Sequence, residues 1–307
     1  MKAVLENIQS QLESAQGEVR RLFHGRGRCF PGFEQLIIDQ LPPVAIIRLF
    51  AEPEQGLIQA LQSFFEQQDE ALRPKALLVQ HRYLPEQSTE VLWDHMENGV
   101  PDQLEVMESG LKYRVKPLKN QNSGLFLDMR EGRNWVQQNS QDKRVLNLFA
   151  YTCGFSVAAV EGGADKVVNL DMSRGALNTG RENHRLNNHP MDRVRFLGHD
   201  LFRSWGKLKR EGPYELVIID PPSFQRGSFV ASNDYRKVLR KLPDLTLPGS
   251  YVLTCLNSPQ LETQFLHDLM QECCPEFTFK ERIANPVDFP DIDPEQSLKV
   301  LLFARDA

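Results

Sequence analysis

The chain has 307 residues, enough for about two domains, and its 41% hydrophobic and 25% charged residues are usual for a globular protein. A formal charge of −5 argues against a protein that coats nucleic acid through bulk electrostatics and against a membrane-surface protein. The apolar runs are far shorter than the roughly 18 residues of a membrane span. Glu6 interrupts the apolar core that a signal peptide needs, and five cysteines without a C-x-x-C pair favour a reduced, cytoplasmic protein.

The first third of the chain predicts a small mixed arrangement of helices and strands. Apolar residues at helical spacing predict a helix over 4–22, and a loop rich in glycine and arginine follows over 24–32. Further elements are predicted in chain order: strands over 36–39 and 43–50, a helix over 59–68, a strand over 76–80, an irregular stretch over 81–103 and a hairpin over 105–115. We expect an N-terminal helix and basic loop over 1–30 and a small α/β accessory domain for substrate recognition over 31–115.

From about residue 120 short apolar runs alternate with segments of helix length. The predicted strands are 145–149, 166–170, 193–197, 215–219, 250–255 and 298–303, and the predicted helices are 156–162, 173–187, 202–210, 235–242 and 262–273. Alternation of this kind is typical of β-α-β units. The sequence therefore predicts an α/β fold over 116–307, with a Rossmann-like, doubly wound, mostly parallel sheet.

Acidic residues follow three of these strands, at the edge where such sheets bind ligands. Asp171 comes 22 residues after Phe149, the spacing at which an acidic residue commonly meets a ribose diol. Asp200 follows the next strand, where it can accept from an adenine amine. The loop after the first strand holds Gly154 but no phosphate-binding glycine repeat. These features favour a ribose and an adenine without phosphates, hence S-adenosylmethionine (SAM), although each aspartate alone could be a helix N-cap.

The segment Asp220-Pro221-Pro222-Ser223-Phe224 is the most specific pattern in the chain. Two prolines fix the backbone after a buried strand and remove two amide donors. Asp220 and the neighbouring carbonyls then remain as acceptors for a planar nitrogenous group, and Phe224 offers a face on which a splayed-out base can stack. The alternative is an ordinary proline-rich turn.

Three segments together resemble the class I SAM-dependent 23S ribosomal RNA methyltransferases: NSGLFLDMREGR over 122–133, NLFAYTCGF over 147–155 and DPPSF over 220–224. The most similar branches are the cytosine-5 and guanine-N7 enzymes. The resemblance is strong over 105–303 and weaker over 30–80, and it implies that the amino-terminal PUA domain of that family is missing here. Cys153 stands where glycine is common.

The resemblance also implies roles for individual residues. The residues implied around the methionine part of the cofactor are Phe149, Tyr151, Thr152 and Gly154. Asp171 is implied at the ribose and Asp200 at the adenine ring, and Phe126, Asp128 and Arg130 lie on a segment that closes over SAM. Further residues expected to bind the cofactor are Met172, Ser173 and Leu201. Asp220 is implied beside both SAM and the target base, as a catalytic group. For Asp128 and Arg130 the alternative is a surface ion pair.

The modified atom depends on residues near the end of the strand at 251–255. A ring nitrogen needs only alignment with the methyl group, whereas cytosine C5 needs a thiolate that first adds to C6. Cys255 lies about one position from where the cytosine-5 branch carries its nucleophile, and Asn257 matches an asparagine of the guanine-N7 branch. A buried, inert thiol is the alternative for Cys255, so the sequence leaves the atom open.

Two basic groups are candidates for RNA contact, with a solvated face as the alternative for each. One lies around His24 and contains Arg20, Arg21, Arg26 and Arg28; the other follows the proline motif and contains Arg226, Arg236, Lys237, Arg240 and Lys241. Such side chains hold phosphates without reading sequence. We expect substrate binding by Arg26, Arg28, Pro221, Pro222, Phe224 and Asn257.

The favoured function is therefore methylation of an RNA base, most simply in large-subunit ribosomal RNA. The alternatives are a SAM-dependent enzyme for a small molecule or protein, and a non-catalytic RNA-binding assembly factor. The histidines lack the spacing of metal ligands, so no metal is expected. The net negative charge and the short apolar runs argue against a membrane partner. The oligomeric state stays open, a homodimer included.

Overall fold

The computed structural model describes residues 1–86, 88–119, 123–222, 224–225 and 229–306. They form two compact units, Met1–Asp128 with Pro286–Ile292, and Met129–Asn285 with Asp293–Ala307. This division falls later than the expected boundary at 115/116 and includes a segment beyond residue 285. The functional domain limits remain a prediction.

The first unit contains a mixed five-stranded sheet within the described ranges. In chain order its elements are α1 (Lys2–Ala15), β1 (Arg20–His24), β2 (Leu36–Leu41), β3 (Val44–Leu49), α2 (Leu57–Glu66), β4 (Ala76–His81), β5 (Thr89–Asp94), β6 (Leu104–Glu108) and β7 (Leu111–Val115). The sheet order is β1-β2-β3-β4-β5, and β6 and β7 form a separate hairpin. Strands β3 and β4 are parallel, whereas the other neighbours in the sheet are antiparallel.

Helix α1 is shorter than predicted. It buries Val4, Ile8 and Leu12, one turn apart, in the same apolar cluster as the sheet. It ends at Ala15 because the next two residues take left-handed backbone angles, with φ of 47° at Gln16 and 81° at Gly17. The predicted helix over 4–22 is therefore wrong at its carboxyl end, where β1 forms instead, and β5 lies within the stretch predicted to be irregular.

The second unit is built around a seven-stranded sheet in the part of the chain that the structure describes. Its elements are α3 (Arg130–Asn139), β8 (Arg144–Leu148), α4 (Gly154–Glu161), β9 (Lys166–Asp171), α5 (Arg174–Leu186), β10 (Val194–Gly198), α6 (Trp205–Glu211), β11 (Tyr214–Ile219), β12 (Phe224–Gln225), β13 (Phe229–Val230), α7 (Ala231–Leu239), α8 (Leu242–Leu245), β14 (Thr246–Leu256), α9 (Thr263–Cys273), β15 (Phe277–Ile283) and β16 (Lys299–Arg305).

The order of this sheet is β10-β9-β8-β11-β14-β16-β15, with β16 antiparallel to both neighbours. Alternate residues of its strands enter two apolar clusters, for example Leu146 and Leu148 in one and Val145 in the other, because successive side chains point to opposite faces. Both faces are therefore buried, which confirms the doubly wound α/β fold. Strand β15 was not predicted. No described helix is both long and apolar enough to cross a membrane.

Candidate functional site

The loop between β8 and α4 has an unusual backbone. Phe149, Tyr151 and Cys153 take positive φ values of 58°, 47° and 64°, a region that costs non-glycine residues energy and that persists only where the surroundings enforce it. Cys153 is the N-cap of α4, which begins at Gly154. The left-handed conformation explains physically why glycine suits position 153.

Asp171 is one of the groups that enforce this loop. It ends β9, and its two carboxylate oxygens accept from backbone amides on both sides: Oδ2 from the N–H of Tyr151 at 2.8 Å and Oδ1 from the N–H of Ser173 at 2.7 Å. Ser173 in turn caps α5 by accepting from the N–H of Ala176. The carboxylate is half-buried and thus has a fixed orientation, with lone pairs left for further donors.

Asp200 follows the neighbouring strand β10. In the parallel pair β9–β10, Gly198 lies opposite Asp171, so Asp200 lies just beyond the same edge of the sheet. Its Oδ1 accepts from the N–H of Phe202 at 2.7 Å and caps a short 3₁₀ turn over Leu201–Arg203. Asp200 therefore acts as a cap, whereas Asp171 closes a turn just before Ser173, the N-cap of α5. Neither role conflicts with ligand binding, because a carboxylate offers about four lone-pair sites.

A buried asparagine that the sequence did not reveal supports the loop from behind. Asn183, on α5, donates through Nδ2 to the carbonyl of Thr152 at 2.9 Å, and it is fully buried. Gly180 lies one turn earlier on α5 and faces Cys153; a Cβ at position 180 would lie 2.4 Å from the Cys153 Sγ. Burial, and then Asp171, raise the pKa of the Cys153 thiol, which is therefore a neutral packing group.

Tyr235 ties together the ends of two strands. This fully buried residue of α7 directs Oη towards the carbonyl of Ile219 at 3.2 Å and that of Cys255 at 2.7 Å. Ile219 ends β11, directly before Asp220, and lies opposite Thr254 of β14. Burial, with Cys255 and Asp220 nearby, raises the pKa of Tyr235 well above its usual value, so the phenol remains a hydrogen-bond donor. No local pattern in the sequence points to this residue.

The candidates at the end of β14 differ in exposure. Cys255 is 1% exposed and belongs to an apolar cluster with Leu253 and Val300. Asn257, just beyond the strand, is exposed. Pro221 is buried and Pro222 half-buried, whereas Ser223 and the side chain of Phe224 lie outside the described part of the structure.

The segment expected to close over the cofactor is divided between the two units. Phe126, which is 45% exposed, and Asp128 line a cavity of the first unit. Arg130 begins α3 of the second unit, is buried, and donates through Nε to Glu131 at 3.3 Å. Met172 is exposed and Leu201 buried. The roles of these residues in SAM binding remain proposals.

Most of the predicted basic residues have acidic partners. Arg20 lies 3.9 Å from Asp288, Arg21 pairs with Asp39, and Arg28 lies 2.8 Å from Asp291. In the second group Arg236 and Arg240 share Glu272, Lys237 pairs with Asp234, and Arg226 lies outside the described residues. Arg26 differs, because its guanidinium lies over the ring of Phe50 at 4.6 Å and has no carboxylate partner in the described ranges.

The second unit thus presents a bent loop and two oriented carboxylates at the carboxyl ends of β8, β9 and β10. These residues fit an adenosine, since the acceptors match ribose hydroxyls and an amine. Among the described residues no group of three or more His, Cys, Asp or Glu side chains is arranged for a metal ion.

Comparison with known proteins identifies the family of the chain. The family model for S-adenosylmethionine-dependent methyltransferases matches residues 20–304. "Ribosomal RNA large subunit methyltransferase I" of Photobacterium profundum is 28% identical over 277 residues, 84% of this chain and 67% of that protein. The protein of the same name from Aeromonas salmonicida is 31% identical over 171 residues, 54% of this chain and 43% of its own length.

The chain spans only about half to two thirds of these curated relatives. A crystal structure of a methyltransferase complexed with SAH matches 99% of this chain and 81% of its own, at 22% identity and a TM-score of 0.84; this likeness concerns the fold. The expected cofactor is that of the matched family, S-adenosylmethionine. Because the family model covers nearly the whole sequence, the chain belongs to the S-adenosylmethionine-dependent methyltransferase family.

Proposed function

We propose that this protein transfers a methyl group from SAM to a base of RNA, in large-subunit ribosomal RNA. The observation that carries the proposal is the set of acidic residues at successive strand ends, Asp171, Asp200 and Asp220, on a chain of this family. The names of the relatives support ribosomal RNA as the substrate.

Each part of the site has a distinct role in this proposal. Asp171 accepts from the ribose hydroxyls, Asp200 accepts from the adenine amine, and the loop over 149–154 surrounds the methionine part. The bound cofactor supplies an electrophilic methyl group on its sulfonium. Asp220 and the rigid prolines after it hold the target base in line with that group, which is most of what a displacement at carbon requires.

The environment of Cys255 favours a ring nitrogen, such as guanine N7, over cytosine C5. A thiol that attacks cytosine C6 must reach the base and must ionise, whereas Cys255 is 1% exposed among apolar side chains. Asn257 is exposed beyond the same strand and can hydrogen-bond a base edge. A ring nitrogen already has its lone pair and needs no covalent intermediate.

A methyl-transfer assay tests the function directly. The protein is incubated with radiolabelled SAM and with ribosomal RNA from a strain that lacks the gene for this protein. We expect label in large-subunit RNA, and nucleoside mass spectrometry identifies the methylated base. Label in a protein or small-molecule fraction alone would contradict the proposal.

The variant Cys255→Ala tests the choice of atom. We expect it to keep methyl transfer within a few-fold of the unmodified protein, and we expect RNA containing 5-fluorocytidine to form no covalent adduct. Loss of activity in a folded, SAM-binding Cys255→Ala protein, together with an adduct, would instead assign cytosine C5.

A further inference from the structure

We propose that the first unit holds a phosphate-binding cavity for the RNA backbone, built around Arg82, Lys119 and the ring of Phe50. The inference rests on the proposed function and adds to it the place where the substrate strand is held. It concerns a cavity of about 430 Å³, a size that accommodates a nucleotide.

The topology of the sheet brings the main residues together. Strands β3 and β4 are parallel, with Leu49 opposite His81 at their ends. Phe50 and Arg82 are the next residues of each strand, and the N–H of Arg82 donates to the carbonyl of Leu49 at 2.8 Å. Both residues therefore lie at the same end of the sheet, at the carboxyl ends of two neighbouring strands. The Arg82 guanidinium lies 5.4 Å from the Phe50 ring centre.

The inner wall of the cavity contains one carboxylate between two guanidiniums. The buried carboxylate of Asp39 pairs with both Arg21 and Arg48. Burial alone would raise the pKa of Asp39, but these two guanidiniums outweigh it and hold the pKa below its usual value. Arg48 also donates to Gln80, which donates to the carbonyl of Pro117 at 3.0 Å. This network fixes the wall, and because two guanidiniums share one carboxylate, the network keeps a net positive charge.

Three other basic side chains at or near the cavity have no carboxylate partner among the described residues. Arg82, Lys119 and Arg26 form no ion pair within the described ranges, and the Nε of Arg82 is buried without a hydrogen-bond acceptor there. Burial, with Arg48 and Arg26 nearby, lowers the pKa of Arg82, as expected where positive charges gather. Apart from Asp39, the acidic side chain that lines the cavity is Asp128.

Guanidiniums around an aromatic ring match the chemistry of a nucleic acid strand. Arginine binds phosphate oxygens through two parallel N–H groups, and an aromatic face stacks on a base. The excess of positive charge is local, since the chain carries −5 as a whole. A phosphodiester with its adjoining base therefore fits this cavity better than an uncharged ligand does.

Gly124 shows how closely the chain is packed at the cavity wall. Its φ is 122°, and a Cβ there would lie 2.6 Å from the carbonyl oxygen of Arg114. The N–H of Lys116 also donates to the carbonyl of Ser123 at 2.6 Å. The start of this wall, at Ser123 and Gly124, is thus held close to the end of β7, and the close approach to Arg114 explains why position 124 is a glycine.

Binding of a short fluorescent single-stranded RNA, titrated against salt, tests the proposal. We expect Arg82→Gln and Lys119→Gln each to weaken binding about tenfold and to lower the salt slope by about 0.7 for each phosphate that is no longer neutralised. Lys75→Gln is the matched control. Lys75 is exposed and directly precedes β4, whereas Arg82 directly follows it. At a rise of about 3.3 Å per residue the strand separates the two residues by about 23 Å. We expect the control variant to keep both the affinity and the slope.

RNA with single neutral methylphosphonate linkages locates the phosphate that binds in the cavity. At one linkage we expect the unmodified protein to lose affinity, whereas Arg82→Gln loses nothing further. Lys119 is exposed, so its substitution tests the cavity without disturbing the fold. Arg28→Gln should cost less affinity than Arg26→Gln, because Arg28 is already paired with Asp291.

The outcomes separate this inference from the proposed function. If the protein binds and methylates RNA while Arg82→Gln and Lys119→Gln keep the affinity and salt slope, the cavity proposal is overturned and the function stands. If the unmodified protein neither binds nor methylates RNA, the function itself fails. Weaker SAM binding by the variants in calorimetry would also overturn the proposal, because it would assign the cavity to the cofactor.

Discussion

Asp171 carries two tasks with one carboxylate. It orders the β8–α4 loop through the N–H of Tyr151 and begins the turn into α5 through the N–H of Ser173. In the proposed site it also accepts from the ribose. The sequence alone left a helix N-cap as the alternative role for Asp171, but the N-cap of α5 is Ser173. The turn that Asp171 closes is compatible with a role in ligand binding at the same position.

We predict that Asp171→Asn weakens SAM binding about tenfold or more, because an amide presents one acceptor oxygen where two backbone donors need partners. Isothermal calorimetry with SAM measures the effect. Asp192→Asn, an exposed change in the same unit, should leave SAM affinity unchanged. Equal SAM affinities for the two variants would show that Asp171 does not bind the cofactor.

At the scale of elements, the contact between α5 and the β8–α4 loop is tight. Glycine to alanine in a helix normally stabilises by about 1 kcal/mol, but a Cβ at Gly180 would lie 2.4 Å from the Cys153 Sγ. We predict that Gly180→Ala lowers the free energy of unfolding by about 1–3 kcal/mol through overpacking. Urea unfolding measures the change.

The double variant Gly180→Ala/Cys153→Gly is the corresponding control. Removing the thiol makes room for the new methyl group and puts glycine at a left-handed φ, so we expect much of the stability to be recovered. Simple additivity of the two single effects would show that this contact does not limit the packing.

Tyr235 couples two strands at the ends that carry the catalytic candidates. We predict that Tyr235→Phe costs about 1 kcal/mol of stability and lowers kcat while leaving the Kd for SAM unchanged. Stopped assays at saturating SAM, together with calorimetry, separate these quantities.

Tyr214→Phe is the matched control for Tyr235. Tyr214 begins β11, at the opposite end from Asp220, and its Oη donates to the carbonyl of Leu208 at 2.9 Å. It should lose similar stability and keep kcat. A drop in kcat for both variants alike would mean that general loosening, and not the end of the strand, matters.

At the scale of the whole molecule, a buried hydrogen-bonded chain links stability to pH. Asn169 donates to Ser156, whose hydroxyl contacts the Nε2 of His184 at 2.9 Å, and the Nδ1 of His184 lies 2.9 Å from the Nδ1 of His189. Burial, and then His189, lower the pKa of His184 from 6.5 to about 3. The histidine is therefore neutral in the folded protein.

Between those two pKa values the unfolded chain binds the extra proton, so stability falls as the pH falls from 6.5 towards 3. We predict a loss of about 1.4 kcal/mol from His184 on going from about pH 7.5 to about pH 5.5. Urea unfolding at both pH values measures it. His184→Gln should show a smaller pH dependence, and an unchanged dependence would contradict the assignment.

The α/β class and the three strand-end aspartates follow from the sequence alone. Apolar runs of strand length alternate with helical segments, and in a parallel sheet the residue after each strand must lie at the ligand edge. These signals are local in the chain, so they can be recognised without knowledge of the tertiary structure. The early end of α1 was missed although Gly17, next to the left-handed Gln16, is a local signal for it. Strand β15 was missed because its pairing with β16, and not local spacing, makes it a strand.

The partners of individual side chains, by contrast, depend on the folded arrangement. Asn183 reaches Thr152 across 31 positions, Tyr235 reaches Cys255 across 20, and Arg28 reaches Asp291 across 263. No spacing rule encodes such pairs, because a hydrogen bond depends on where folded elements meet and not on their separation in the chain. The same reason explains why Arg26 and Arg28 look equivalent in the sequence, while in the fold one is paired with a carboxylate and the other stacks on Phe50.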